Sequence, residues 1–140
     1  MLPWKKILIA FDGSSSANKA FDLALRMCPE DGPEIIVASV VQPPEQAEIV
    51  EMEAVIDSAR DQFEKLFAEL RDKAAAVSGP IATEILIGHP ADQIVHYAAE
   101  NQCDVILVGQ RGKSRIEQWL LGSVSKRIAT YAHCTVIIVK

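Results

Sequence analysis

Three glycines and a serine offer the clearest chemistry in this sequence. Gly109, Gly112, Gly122 and Ser123 are separated by two and then nine intervening residues. Glycine puts no side chain between a backbone amide and an approaching anion, so N–H groups in such a loop can close on phosphate oxygens. Ser123 and Ser125 stand where a helical pattern begins, and a helix origin adds unpaired amides and the positive end of the helix dipole. Between Gly109 and Arg127 the charges are Arg111, Lys113, Arg115, Lys126 and Arg127 against Glu117, a local positive excess in a chain of formal net charge -5. That combination points to a phosphorylated ligand. A second candidate is Asp12, in Phe11-Asp12-Gly13. A carboxylate is wrong for phosphate but suits a ribose hydroxyl or a bound Mg2+ ion.

Two other phosphate motifs are absent. Gly112-Lys113-Ser114 matches the end of a P-loop, but Leu107 stands where its first glycine is required. The dinucleotide fingerprint needs three spaced glycines after the first strand, and the chain offers Asp12-Gly13-Ser14-Ser15-Ser16 there. An ordinary P-loop NTPase and an NAD-dependent dehydrogenase are both unsupported.

The elements that must position these residues alternate in type. Apolar runs at residues 5–11, 34–41, 104–108 and 135–139 read as strands, and 81–87 reads as a more exposed strand because Ile81, Thr83, Ile85 and Ile87 alternate with polar positions. Between them lie helical patterns. Ala17, Ala20, Phe21, Ala24 and Cys28 share one face of the first, with Ser14 to Ser16 as cap candidates. Residues 45–77 carry a long apolar stripe from Ile49 through Phe63 and Leu70 to Val77, with an irregular stretch at 44–50 before it. Pro90 opens a third helix behind Gly88-His89, and a fourth begins near Ser123. Strands apolar on both faces and separated by helices predict a three-layer α/β sandwich, Rossmann-like, around a parallel sheet. In such sheets ligands bind beyond the carboxyl ends of the strands, at the point where strand order reverses. With the order 3-2-1-4-5, Asp12 and Gly109 would face each other across that crevice.

The bulk numbers set bounds. The 140 residues suffice for one domain, expected to span 1–140, and a hydrophobic fraction of 49% with 24% charged residues fits a packed core. A net acidic chain is a poor general partner for nucleic acid. No apolar run approaches membrane-spanning length and the start lacks a leader pattern, so a cytoplasmic protein without membrane partners is expected. Cys28, Cys103 and Cys134 lack paired spacing and read as reduced thiols, while His89, His96 and His133 lack metal-ligand spacing. The apolar last strand would template aggregation if left as a bare sheet edge. A homodimer through residues 135–140 is therefore expected.

Taken together, the glycine spacing, the opening strand ending in Asp12-Gly13-Ser14, Gly88-His89-Pro90, Asp104 through Gly109 and the terminal Val136-Ile137-Ile138-Val139 resemble the universal stress protein family. The likeness covers essentially the whole chain. It departs at Ala10, at Arg115 and at His133-Cys134-Thr135, where many members carry other residues. The resemblance implies a five-stranded parallel sheet in the order 3-2-1-4-5 and binding of ATP, or AMP or ADP. It puts Val40 or Val41 beside adenine, and Gly109, Arg111, Gly112, Gly122, Ser123, Val124 and Ser125 around ribose and phosphates. Asp12 falls on the ribose or metal side. Three functions suit such a site: a nucleotide-dependent regulatory module of the stress response, a slow ATPase or phosphotransferase, or a dimeric scaffold with a vestigial pocket. No residue stands out as a base that would position water, so no catalytic residue is assigned and the regulatory module is adopted.

Overall fold

The computed structural model describes residues 3–46, 48–111 and 121–140. Five strands alternate with four helices: β1 (Lys6–Ala10), α1 (Ser15–Met27), β2 (Glu34–Val41), α2 (Ile49–Val77), β3 (Ala82–Ile87), α3 (Pro90–Glu100), β4 (Val105–Gly109), α4 (Ser123–Tyr131) and β5 (Thr135–Val139). The strands form one parallel sheet in the order β3-β2-β1-β4-β5. The expected α/β sandwich and strand order are both present. The order reverses between β1 and β4, where Ala10 lies opposite Val108.

Residue choice along the inner strands explains the layering. Ile7 and Ile9 of β1, Ile35 and Val37 of β2, and Val105 and Leu107 of β4 point to one face. They meet Ala17, Ala20, Phe21 and Ala24 of α1 and Phe67, Leu70 and Ala74 of α2. Leu8, Ile36, Ala38, Ile106 and Val108 point to the other face and meet Ala91, Ile94 and Ala98 of α3 and Ile128 of α4. A strand buried on both sides needs an apolar run, and the three inner strands have one, broken in β2 by Ser39, whose buried hydroxyl donates to the Phe11 carbonyl at 2.6 Å. The alternation that marked residues 81–87 as more exposed belongs to an edge strand, β3.

The second helix differs from its sequence reading. Its apolar stripe is continuous, but only Phe67, Leu70 and Ala74 are buried, with Phe63 and Leu66 packed at the core's margin. Ile49, Val55 and Val77, expected on the inner face, are exposed. Length is the reason. Twenty-nine helical residues span about 43 Å, whereas the eight residues of β2 span about 26 Å.

Cys28 and Cys103 are buried and Cys134 is half-buried, all as free thiols. Burial raises all three thiols above their ordinary value, Cys103 to about 11, so that they stay protonated near neutral pH.

Two local contacts hold the centre of the sheet. Just ahead of β4, one carboxylate oxygen of Asp104 accepts from the backbone N–H of Lys5 at 2.8 Å and of Lys6 at 2.9 Å. These bonds hold the carboxyl below the usual carboxylate range. Stabilisation from a depressed carboxyl is complete above its unfolded value, about 3.9, and is lost as pH falls through the lower folded value. Asp104→Ala should therefore lower the urea midpoint at neutral pH, with the gap to wild type narrowing below about pH 4. A gap that stays constant down to acid unfolding would contradict this.

At the other end of β4, Gly109 lies under the start of α1. A Cβ there would collide with the Ser16 hydroxyl and sit 2.9 Å from the amide of Ala17. Because one obstacle is backbone, rotamer change cannot relieve it. Gly109→Ala should destabilise the fold by about 1–3 kcal/mol in chemical denaturation.

Candidate functional site

The chain turns sharply after β1. Gly13 takes φ 81, a left-handed conformation that favours glycine. That turn lets Asp12 Oδ1 accept from the N–H of Ser14 at 2.9 Å, and Ser14 Oγ then caps α1 by accepting from Ala17 N–H at 3.2 Å. Ser14, not Asp12, is thus the cap of the first helix.

Across the switch point, the two described ends of the glycine loop are tied down. The hydroxyl of Ser16 donates to the Arg111 carbonyl at 2.5 Å, with Ser14 Oγ at 3.5 Å from the same oxygen. The buried Ser125 hydroxyl lies 2.6 Å from the Gly109 carbonyl and 3.2 Å from that of Gln110. Gly122 N–H donates to the Gln110 carbonyl at 2.7 Å. Gly109 to Arg111 therefore run beside the origin of α4, although ten residues separate Arg111 from Gly122. Gly122 is the N-cap residue and supplies no side-chain oxygen, so the first amides of α4 find no partner within their own helix.

Between these parts lies a cleft of about 270 Å³ at the carboxyl edge of the sheet. One end is apolar: Ala10, Ala38, Val40 and Val108 at the strand ends, walled by Pro90 and Ile94 of α3. The other end is polar, with Asp12, Ser14, Arg111, Gly122 and the first turn of α4. A cleft near the lower end of the usual ligand range suits a compact, flat apolar group with a charged tail reaching outward.

Of the residues read from the sequence, Asp12, Val40, Gly109, Arg111, Gly122, Ser123, Val124 and Ser125 all line this cleft. Val41 does not: strand alternation turns its buried side chain to the opposite face of β2 from Val40. Gly112, Lys113 and Arg115 lie outside the described residues. Arg127, counted with the basic excess, is committed elsewhere: it pairs with Asp92 of α3 at 2.8 Å and lies over the Tyr131 ring. Its guanidinium holds the Asp92 carboxyl below the usual range. His96 faces solvent, paired with Glu100 at 2.9 Å.

At the apolar end the sequence reading reached only Val40. Ala10, Ala38, Ile94 and Val108 were not assigned to the site. The available signal was one alanine ending β1 and another at the facing position of β2, in strands otherwise rich in large aliphatic residues, where a missing side chain leaves room beside the switch point.

Residues 3–140 match the universal stress protein family. The chain belongs to that family. Among its relatives, Universal stress protein MJ0531 of Methanocaldococcus jannaschii is 31% identical over 144 residues, covering 98% of this chain and 82% of its own. Among solved structures, universal stress protein UspA from Lactobacillus plantarum superposes with a TM-score of 0.91 at 22% identity, over the full length of both chains. Two further family structures hold nucleotides. One is a universal stress protein in complex with cAMP, with a TM-score of 0.66 at 25% identity over 99% of both chains. The other is an Arabidopsis thaliana family protein with AMP bound, with a TM-score of 0.72 at 21% identity over 97% of this chain and 91% of its own. Similarity at that level carries the fold, and the site in this family member rests on its own geometry.

In that geometry Ser125 joins the loop to the helix. Ser125→Ala should cost about 1–3 kcal/mol, because it leaves the Gly109 carbonyl short of a donor. Faster amide exchange at residues 121–125 would accompany the loss, and unchanged stability and exchange would contradict the assignment.

Proposed function

We propose that this cleft binds an adenine nucleotide and that the protein is an ATP-binding regulatory module of the stress response. The observation that carries the reading is a single cleft with an apolar slot at one end and, at the other, Arg111 beside the origin of α4. A purine ring fits a slot formed by Ala10, Ala38, Val40, Pro90, Ile94 and Val108. Phosphate oxygens suit the first amides of a helix, which have no partner within it, together with a guanidinium. The family complexes with cAMP and AMP lend support, since both ligands are adenine nucleotides.

Asp12 is the acidic residue of the described lining. Mg2+ is commonly held by one or two carboxylates together with the phosphates of its nucleotide. Asp12, with one oxygen on Ser14 N–H, is the residue proposed to supply that carboxylate. We also propose one domain spanning residues 1–140 and a homodimer through β5, whose apolar residues are half-buried and which pairs on one side with β4. A monomer by light scattering at roughly tens of micromolar would remove the dimer from the proposal.

Thermal unfolding with ATP, ADP, AMP and cAMP, each with and without Mg2+, tests the site. A ligand at about one hundred times its Kd adds about 2.7 kcal/mol to stability. Gly122→Val, at the cap of α4, should abolish the ATP-induced shift while leaving the ligand-free protein folded. Full stabilisation of that variant by ATP, or no shift of the wild type by any of these nucleotides, would refute the site. Mass spectrometry of small molecules released from freshly purified protein would identify the nucleotide.

A further inference from the structure

The charge of this chain is concentrated in one place. Residues 45–61 contain Glu45, Glu48, Glu51, Glu53, Asp57 and Asp61 against Arg60, which equals the formal net charge of the whole chain, -5; acids and bases balance elsewhere. The segment covers the end of the β2–α2 connection and the first turns of α2, the part of the helix that outruns the sheet. Those turns also present large apolar side chains to solvent: Ile49 and Val50 are each 75% exposed and Val55 is 39% exposed.

The apolar positions are regular. Ile49, Met52, Ile56, Ala59, Phe63, Leu66 and Leu70 follow one another at alternating intervals of three and four, the seam spacing of a helix that packs along another helix. The sheet occupies the C-terminal part of this seam, where Phe63 and Leu66 pack at the core's margin and Leu70 is buried. Upstream of Phe63 the seam continues without belonging to either core cluster. Among the described residues these turns join neither core cluster, although Met52, Ile56 and Ala59 are half-buried, and an overhang facing only water would be better served by polar residues. An apolar seam maintained there has a use only if something packs on it.

The flanking positions indicate what. With Ile49 and Met52 on the seam, Glu48 and Glu53 stand beside it, where charge selects the partner helix. A second copy of this segment would set acid against acid, and an anionic membrane surface would be repelled. We propose that the overhanging N-terminal part of α2 is a docking surface for a basic amphipathic helix of a partner protein. Apolar residues of that helix seat on Ile49, Met52 and Ile56, and its Lys or Arg residues lie against Glu48 and Glu53.

The probe is a fluorescein-labelled peptide of three heptads with Ile and Leu on its seam and Lys at the flanking positions, titrated with the full chain by anisotropy. Saturable binding with a Kd of about 10–100 µM is expected. It should weaken about tenfold in an Ile49→Ser, Ile56→Ser double variant, and should also weaken between about 50 and 500 mM salt. Both substituted side chains are outside the core, so thermal stability should not change. Glu48→Lys with Glu53→Lys should reverse the preference, losing the Lys peptide and gaining its Glu counterpart. Absence of saturable binding, equal binding by both double variants, or equal binding of the Lys and Glu peptides to the wild type would overturn the proposal. So would self-association that the serine variant abolishes, since the occupant would then be a second copy.

Discussion

The cleft depends on how closely the start of α1 can approach the end of β4. Serine hydroxyls of the first helix reach the carbonyl of Arg111 because Gly109 has nothing in the way. This contact fixes where the chain leaves the sheet after β4. Ser125 and Gly122 then anchor the returning chain to the carbonyls of Gly109 and Gln110. Two helix origins are thereby set around one opening. The first is occupied by its own cap, since Ser14 satisfies Ala17 N–H, whereas the second has no side-chain cap. Similar pieces of structure thus play different parts: one helix start braces the loop and the other lines the cleft.

The cleft's division into apolar and polar ends follows from the sheet. Alternation on β1, β2 and β4 sends Leu8, Ile36 and Ile106 into the layer under α3 and α4, and the residues that follow on that face are Ala10 and Val108, at the ends of their strands, and Ala38 and then Val40 on the longer β2. Because Ala10 and Ala38 are small, the layer thins where strand order reverses. The polar end comes from loops and helix starts, the parts of the chain whose backbone groups the sheet leaves unused.

Much of this was legible in the residues. Apolar runs identified the inner strands, the alternation at residues 81–87 identified an edge, and Pro90 and Ser123 marked helix starts that the structure places at Pro90 and Ser123. The glycine spacing pointed to the cleft because backbone access leaves a compositional trace. Three features were less legible for physical reasons. A cavity wall has the composition of core, so Ile94 and Val108 gave no separate signal. Whether Val40 or Val41 faces the cleft depends on strand phase, which a run apolar at both positions does not reveal. The exposed half of α2 carries the same periodicity as the buried half, and periodicity reports a face without reporting what covers it.

The bond between the Asp104 carboxylate and the amides of Lys5 and Lys6 spans 99 and 98 residues of chain. Of the five strands of this sheet β1 comes first in the chain and lies in the middle, yet its neighbour on that side comes fourth. While the polypeptide grows, β1 can pair with β2 soon after both exist, but its other edge stays open through two intervening helices and a further strand. Closing so long a loop costs chain entropy before any contact repays it, and distant pairings of this kind slow folding. For this chain the order of manufacture and the order of the sheet are therefore at odds, and the segment entering β4 sets when the centre can close.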